Sequence, residues 1–157
     1  MLAYIGLGSN LKDPKEQIKR ALSALNDNNE IELMTSSSLY ESKPLLDIPG
    51  PNYINAVCKI ETKLSALDLL DLCQEIEESQ QRVREVKWGS RTIDLDILLY
   101  GEQVISHKRL TIPHPEAINR AFVLVPLFEI DPTVKLPLLG SIKTLFTSIT
   151  TSDVTQL

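Results

Sequence analysis

Asp94 and Asp96 stand two positions apart in the apolar stretch 92–99. Alternate residues of a β-strand share one face, so both carboxylates would point to the same side of a strand. Magnesium prefers oxygen ligands and commonly binds one or two carboxylates together with substrate phosphates. The pair therefore indicates a magnesium site. The alternative is an ordinary solvent-facing strand that carries two acids.

A basic segment leads directly into this acidic pair. Residues 82–91 hold four cationic side chains against one acidic side chain, namely Arg82, Arg84, Lys87 and Arg91 against Glu85. Such a cluster can bind the phosphate oxygens that a metal leaves free, because arginine often contacts them bidentately. A metal-bound polyphosphate fits this arrangement, and a solvated basic loop is the alternative.

A third group of residues suits a flat heterocycle. Tyr53 and Asn55 would share one face of the alternating stretch 53–61, beside a proline-rich segment at 41–52. An aromatic ring offers a stacking plane, and an asparagine amide offers both hydrogen-bond donors and an acceptor. A surface tyrosine next to a hydrogen-bonded asparagine is the alternative. His114, between two prolines, could contact a phosphate or hold a rigid turn.

Standard nucleotide-binding motifs do not account for these residues. The segment 6–11 has Leu11 where the dinucleotide-binding motif requires its third glycine, and it lacks the lysine of a phosphate-binding loop. Composition and spacing alone therefore do not specify ATP.

Hydrophobic periodicity predicts the elements that position these groups. The predicted strands are 2–8, 31–40, 53–61 and 92–99, and the predicted helices are 14–25, 65–77 and 116–129. The order β-α-β-β-α-β, followed by extra C-terminal helical elements, is typical of a ferredoxin-like α+β fold with helices packed on an antiparallel sheet. No linker divides the chain, so 1–157 is expected to form a single domain.

Local patterns add detail to these elements. Two capping boxes are predicted, Asp13 with Glu16 and Ser65 with Asp68. In the last strand, the residues expected to point together into the core are Ile93, Leu95, Ile97 and Leu99. After a turn at Gly101, the segment 104–105 is expected to pair back, whereas the Ser/Thr-rich stretch 147–157 predicts no element.

Composition narrows the class of protein. The chain has 157 residues, 43% hydrophobic and 24% charged, which is the balance of an ordinary globular domain with its own core. A net charge of -5 disfavours a nucleic-acid partner. Cys58 and Cys73 are not spaced like metal ligands and are expected to be buried apolar residues. The sequence shows neither a secretory signal nor a membrane span, so we expect a cytoplasmic protein.

The segment 87–98, KWGSRTIDLDIL, closely resembles the signature of the 6-hydroxymethyl-7,8-dihydropterin pyrophosphokinase family of folate biosynthesis. Four further segments agree with that family in order and spacing: 4–11 (YIGLGSNL), 53–56 (YINA), 109–114 (RLTIPH) and 119–127 (NRAFVLVPL). The resemblance extends over roughly residues 1–132.

The resemblance implies an ATP-dependent transfer of pyrophosphate to the hydroxymethyl group of a reduced pterin, with release of AMP. It implies that Asp94 and Asp96 hold two magnesium ions, and that both aspartates act in catalysis together with Arg82 and Arg91. It also implies three sets of ligand contacts. The phosphates would be bound by Arg82, Arg91, His114 and Arg120, and the rest of the nucleotide by Gln74, Glu77, Arg109 and Thr111. The pterin would be bound by Ser42, Lys43, Leu45, Tyr53, Asn55 and Phe122.

Two other classes of function stay open at this point. A metal-dependent nucleotidyltransferase or nuclease would also use paired aspartates on a strand, and a non-catalytic ligand-binding module can share the fold. The expected partners are the small molecules ATP and 6-hydroxymethyl-7,8-dihydropterin. We expect neither nucleic acid nor a membrane as a partner, and we expect a monomer.

Overall fold

The computed structural model describes residues 1–11, 13–43, 51–81, 92–116, 119–149, 151 and 153–157. The first part of the chain forms β1 (Leu2–Ser9), α1 (Pro14–Asn26), β2 (Ile31–Ser36), β3 (Tyr40–Ser42), β4 (Tyr53–Thr62), α2 (Ala66–Gln81) and β5 (Asp94–Tyr100). The remainder forms β6 (Ile105–Ser106), β7 (Thr111–Ile112), α3 (Ala121–Ile130), β8 (Lys135–Leu136), β9 (Gly140–Ser141), α4 (Ile142–Thr147) and β10 (Val154–Gln156).

The main sheet has the strand order β10-β3-β4-β1-β5, and β2 also pairs with β4. Each of these pairings is antiparallel. With β2 and β3 taken as one interrupted strand, this is the order of a ferredoxin-like sheet, so the predicted α+β fold is confirmed. The predicted single strand at 31–40 is wrong in detail, because the chain leaves the ladder at 37–39 and re-enters it as β3.

Each face of the sheet is covered by helices. On one face, α1 and α2 pack over a core that includes Ile5, Ile18 and Leu69. The opposite face, called the α3 face below, carries Tyr4 and Val57 and is covered by α3 and α4. The predicted alternation of β4 is confirmed. The residues on the α1 and α2 side are Ile54, Ala56, Cys58 and Ile60, whereas Val57 lies on the α3 face.

One predicted core position in β5 is wrong. Ile93, Leu95 and Ile97 lie in the α1 and α2 core as predicted, but Leu99 lies on the α3 face. Ile97 pairs with Ile5, and Leu99 pairs with the neighbouring Tyr4, so Leu98 is an additional residue in the ladder. A β-bulge of this kind shifts the alternation of every residue that follows it.

Several predicted element ends also need correction. The helix α1 begins at Pro14 as predicted, but Asp13 has φ 58 and its side chain makes no capping hydrogen bond within the described chain. At α2, the Asp68 N–H does donate to Ser65 Oγ at 3.2 Å, and the helix continues to Gln81 instead of ending at 77.

The chain after β5 differs more from the prediction. Ile105 pairs with Ile112 of β7, so the segment 104–105 does not pair back onto β5. The helix expected at 116–129 is α3, which begins only at Ala121. The stretch 147–157, for which no element was predicted, contains β10, and this strand pairs with β3. Among the helices that the structure describes, none has both the length and the apolar content that crossing a membrane requires.

Both cysteines are buried thiols, as predicted from their apolar surroundings. Burial raises the pKa of the Cys58 thiol to about 12. Burial also raises the pKa of Cys73, and the nearby carboxylate of Glu77 acts in the same direction. Both thiols therefore stay protonated and shielded from solvent at neutral pH.

We expect the native protein to show almost no reactive thiol toward a disulfide reagent such as DTNB at pH 8. The same protein in denaturant should react at both cysteines, because only unfolding exposes them. A stopped-flow absorbance measurement checks this expectation. Rapid labelling of even one thiol in the folded protein would contradict the burial described above.

Candidate active site

Two glycines of β1 form the floor of the site. Gly8 pairs with Asn55 of β4 on one side and with Asp94 of β5 on the other, and Gly6 pairs in the same way with Val57 and Asp96. Residues that pair directly across strands share one face. Asn55, Gly8 and Asp94 therefore form a row across three strands on the α3 face, spanning two strand spacings, or about 10 Å.

The missing side chains at these glycines keep the floor open. A Cβ atom at Gly8 would lie 3.0 Å from Asn55 Oδ1, and one at Gly6 would lie 3.4 Å from a Leu98 methyl group. Any side chain at Gly8 would therefore press on the Asn55 amide and fill the space between that amide and Asp94. The sequence carried a signal for this arrangement, since glycines at i and i+2 of a strand leave one of its faces bare.

Asp94 and Asp96 lie together on the α3 face, as the alternation predicted. Asp94 is half-buried, and the Asp96 side chain is 55% exposed. Between them, the Leu95 N–H points to the outer side of β5, which is the last strand of the sheet in the described part of the chain. The Glu77 carboxylate of α2 accepts this N–H at 2.8 Å in a buried position. Glu77 thus supports the backbone that carries both aspartates.

A second contact supports the same outer side of β5. The His114 N–H donates to the Leu98 carbonyl at 3.2 Å, and His114 Nε2 lies 4.0 Å from Asp96 Oδ1. Beside them is a cavity of about 280 Å³ whose apolar wall includes Leu70 and Ile97. Four of the predicted site residues line this cavity together: Asp96, Arg109, Thr111 and His114.

Gln74 reaches the same rim from α2. Its Oε1 accepts a hydrogen bond from the Arg109 guanidinium at 3.2 Å, and the same guanidinium forms an ion pair with Asp71. The predicted nucleotide residues Gln74, Arg109 and Thr111 therefore lie on one rim. Glu77, the fourth predicted nucleotide residue, is only 8% exposed, and its carboxylate accepts the Leu95 N–H at the outer side of β5.

The predicted pterin residues lie at the other end of the row. Asn55 Nδ2 donates to Ser42 Oγ at 2.7 Å, and both side chains are buried. Tyr53 pairs with Ser42 in the ladder and shares its face, and Lys43 follows as an exposed residue. The Ser42 contact fixes the orientation of the Asn55 amide next to Gly8.

The beginning of α3 brings two further predicted residues to the α3 face. Phe122 is partly buried and packs against the core on that face. The Arg120 guanidinium lies over the Phe122 ring, 5.6 Å from its centroid, and it contacts Glu116 at 3.4 Å. Three of the predicted site residues, Leu45, Arg82 and Arg91, lie outside the described residues, as does the whole basic segment 82–91.

The sequence did not reveal two supporting contacts. One is the backbone role of Glu77, and the other is the hydrogen bond that Ser9 Oγ donates to the buried Thr92 carbonyl. Both join residues that are far apart in the chain, so no local pattern marks them. The Ser9 contact fixes the beginning of β5 against the end of β1.

We expect Glu77→Met to destabilise the fold more than Glu77→Gln does. Methionine fills a similar volume but leaves the buried Leu95 N–H without its acceptor, which costs about 1–3 kcal/mol and roughly 3–10 °C in Tm. Glutamine keeps an acceptor oxygen and serves as the matched control. Thermal unfolding followed by circular dichroism checks the order. Equal Tm values for the two variants would show that the Leu95 contact does not support β5.

Comparison with known proteins shows the family to which the chain belongs. Residues 4–132 match the family model for 7,8-dihydro-6-hydroxymethylpterin-pyrophosphokinase. The chain is 56% identical over 135 residues to a 2-amino-4-hydroxy-6-hydroxymethyldihydropteridine pyrophosphokinase of Haemophilus influenzae, covering 86% of this chain and 84% of that one. It is 48% identical over 134 residues to the enzyme of the same name from Pseudomonas aeruginosa, covering 85% and 83%.

Solved structures agree on the fold. A structure described as HPPK-DHPS in complex with substrates superposes with a TM-score of 0.78 at 14% identity, covering 99% of this chain and 46% of that chain. A Plasmodium falciparum HPPK-DHPS structure superposes with a TM-score of 0.72 at 16% identity, covering 94% and 43%. The structures at 14% and 16% identity show only the fold, whereas the relatives at 56% and 48% identity also show the family. The chain belongs to the 7,8-dihydro-6-hydroxymethylpterin-pyrophosphokinase family.

Proposed function

We propose that this protein transfers the β,γ-pyrophosphoryl group of ATP to the hydroxymethyl oxygen of 6-hydroxymethyl-7,8-dihydropterin, releasing AMP. Membership of the family supports this reaction over the nuclease and binding-module alternatives. The observation that carries the proposal within the structure is the row formed by Asn55, Gly8 and Asp94. It sets an amide that can bind a heterocycle beside carboxylates that can bind a metal-bound polyphosphate.

The pterin subsite would be formed by the α3 face near β4. The Asn55 amide, held by Ser42, would hydrogen-bond the edge of the ring. Tyr53 and Phe122 would enclose the two faces of the ring, since both aromatic side chains lie on this side of the sheet. In this position the hydroxymethyl group would point along the row toward Asp94.

The nucleotide subsite would be the cavity beside β5. Its apolar wall of Leu70 and Ile97 suits a purine base, and its rim carries Arg109 and Thr111. At the Asp96 end, His114 and Arg120 would bind phosphate oxygens. Arg82 and Arg91 would add further phosphate contacts, which stay predictions from the family resemblance.

Two carboxylates on one strand face fit magnesium. The described residues contain no cluster of three or more His, Cys, Asp or Glu side chains that could enclose a metal by themselves. Magnesium rarely uses such cages and commonly takes one or two carboxylates plus substrate phosphates and water. Asp94 and Asp96 would therefore hold magnesium, which would neutralise phosphate charge. The expected number of two ions stays a prediction.

This division of residues matches the demands of pyrophosphoryl transfer. The reaction requires alignment of the two substrates and neutralisation of charge, and it needs no covalent nucleophile on the protein. Asn55 would orient the acceptor, His114 and Arg120 would hold the phosphate chain, and Phe122 would help to exclude water. A monomeric state, a cytoplasmic location and the exclusion of nucleic acid as a partner also stay predictions.

The direct test of the reaction is AMP release from ATP, magnesium and 6-hydroxymethyl-7,8-dihydropterin, with each component omitted in turn. We expect AMP only when all three are present, together with the pterin pyrophosphate in equal amount. Folded protein that releases no AMP under these conditions would overturn the proposal.

Asp94→Asn and Asp96→Asn should each lower kcat about 10²–10³-fold, the range seen when one electrostatic contact to a transition state is removed. Both variants keep the shape of the side chain, so the melting temperature should change little. Glu102→Gln is the matched control, because it removes an exposed carboxylate from the turn that follows β5. A wild-type kcat in either aspartate variant would show that this aspartate takes no part in the reaction.

A further inference from the structure

The short strand β3 at the pterin end of the site has an unexpected neighbour. The strand β10 pairs with it in register, Val154 opposite Ser42 and Gln156 opposite Tyr40. The Leu157 N–H extends the pairing by donating to the Leu39 carbonyl at 2.9 Å. β10 lies outside residues 4–132, the part of the chain that matches the family model.

A second set of contacts holds the beginning of β3. Glu129 of α3 accepts hydrogen bonds from the Ser38 N–H at 3.1 Å, from Ser38 Oγ at 3.0 Å and from the Tyr40 hydroxyl. Burial and the Glu129 contact raise the pKa of the Tyr40 phenol, so it remains a donor. Gln156 Nε2 joins this cluster by donating to Ser38 Oγ at 3.1 Å. Glu129 of α3 and Gln156 of β10 thus both hold Ser38 and Tyr40.

The strand that these contacts hold also carries the hydrogen-bond partner of the Asn55 amide. β3 has three residues, and Ser42 at its end accepts the 2.7 Å hydrogen bond that orients Asn55. A three-residue strand that pairs with one neighbour is weakly held, whereas pairing on both sides fixes its position. β10 supplies the second neighbour at Ser42 itself.

We propose that β10 is a positioning element of the pterin subsite, which holds Ser42 through β3 and thereby orients the Asn55 amide toward the acceptor substrate. This inference rests on the proposed function for the identity of that substrate. A purely structural role would be to cover the edge of the sheet, as exposed strand edges favour aggregation. The two roles differ in which substrate they affect, because the nucleotide cavity lies at the opposite edge, beside β5.

The register of β10 with β3 suggests two variants that differ in a single backbone N–H. The Leu157 N–H points to β3, so alternation directs the Thr155 N–H to the same side, opposite Glu41. Thr155→Pro removes this N–H and disrupts the pairing. Thr155→Val keeps it and changes only an exposed, β-branched side chain, so it is the matched control. Deletion of 153–157 removes the strand entirely.

The measurements are KM for each substrate, kcat, and equilibrium binding of the pterin in the presence of magnesium and a non-hydrolysable ATP analogue. In Thr155→Pro and in the deletion, we expect KM and Kd for the pterin to rise about tenfold, the factor that one net hydrogen bond is worth. KM for ATP should stay within about twofold, and Thr155→Val should behave as wild type.

Unchanged pterin affinity in folded Thr155→Pro and deletion variants would overturn the inference. Equal losses for both substrates would also overturn it, because they would indicate general loosening of the fold. If the deletion does not fold, Thr155→Pro decides the matter alone. Failure of the proposed function has a different signature, since wild-type protein would then release no AMP or would not bind the pterin at all.

Discussion

The site depends on the antiparallel pairing of β1 with both of its neighbours. Gly8 is opposite Asn55 on one side and Asp94 on the other, so a single backbone position fixes the distance between the two halves of the site. A register slip of one residue in either pairing would turn the affected side chains to the opposite face of the sheet. The buried α1 and α2 core opposes such a slip, because it would expose apolar residues such as Ile5 and Leu95.

Both halves of the site lie on strands that need support from outside the central pairing. β5 is held from its outer side by Glu77, which accepts the Leu95 N–H, and by His114, which donates to the Leu98 carbonyl. β3 is held from its outer side by β10, and Glu129 of α3 accepts hydrogen bonds from Ser38 and from the Tyr40 hydroxyl at its beginning. The same principle applies at both edges, since short or terminal strands position side chains well only when their free backbone groups are bonded.

The sequence allowed much of this arrangement to be predicted. Alternation identified the face shared by Asp94 and Asp96 and the face shared by Tyr53 and Asn55, because strand periodicity is a local property. The bulge at Leu98 was missed, since the run of apolar residues at 97–99 fits either face. β10 was missed because three residues without an apolar pattern carry too little local signal. The contacts of Glu77 and Ser9 join distant segments and follow only from the folded chain.

We propose that Asp94 and Asp96 hold the metal ion about 10 Å or less from the bound pterin, across the glycine floor. Paramagnetic relaxation tests it directly, with Mn²⁺ in place of magnesium and a non-hydrolysable ATP analogue present. We predict strong relaxation enhancement of the 6-hydroxymethyl protons of the bound pterin, lost in the Asp94→Asn, Asp96→Asn double variant. A pterin that binds the wild-type protein without such enhancement would show that the pterin and the metal ion do not share the glycine floor.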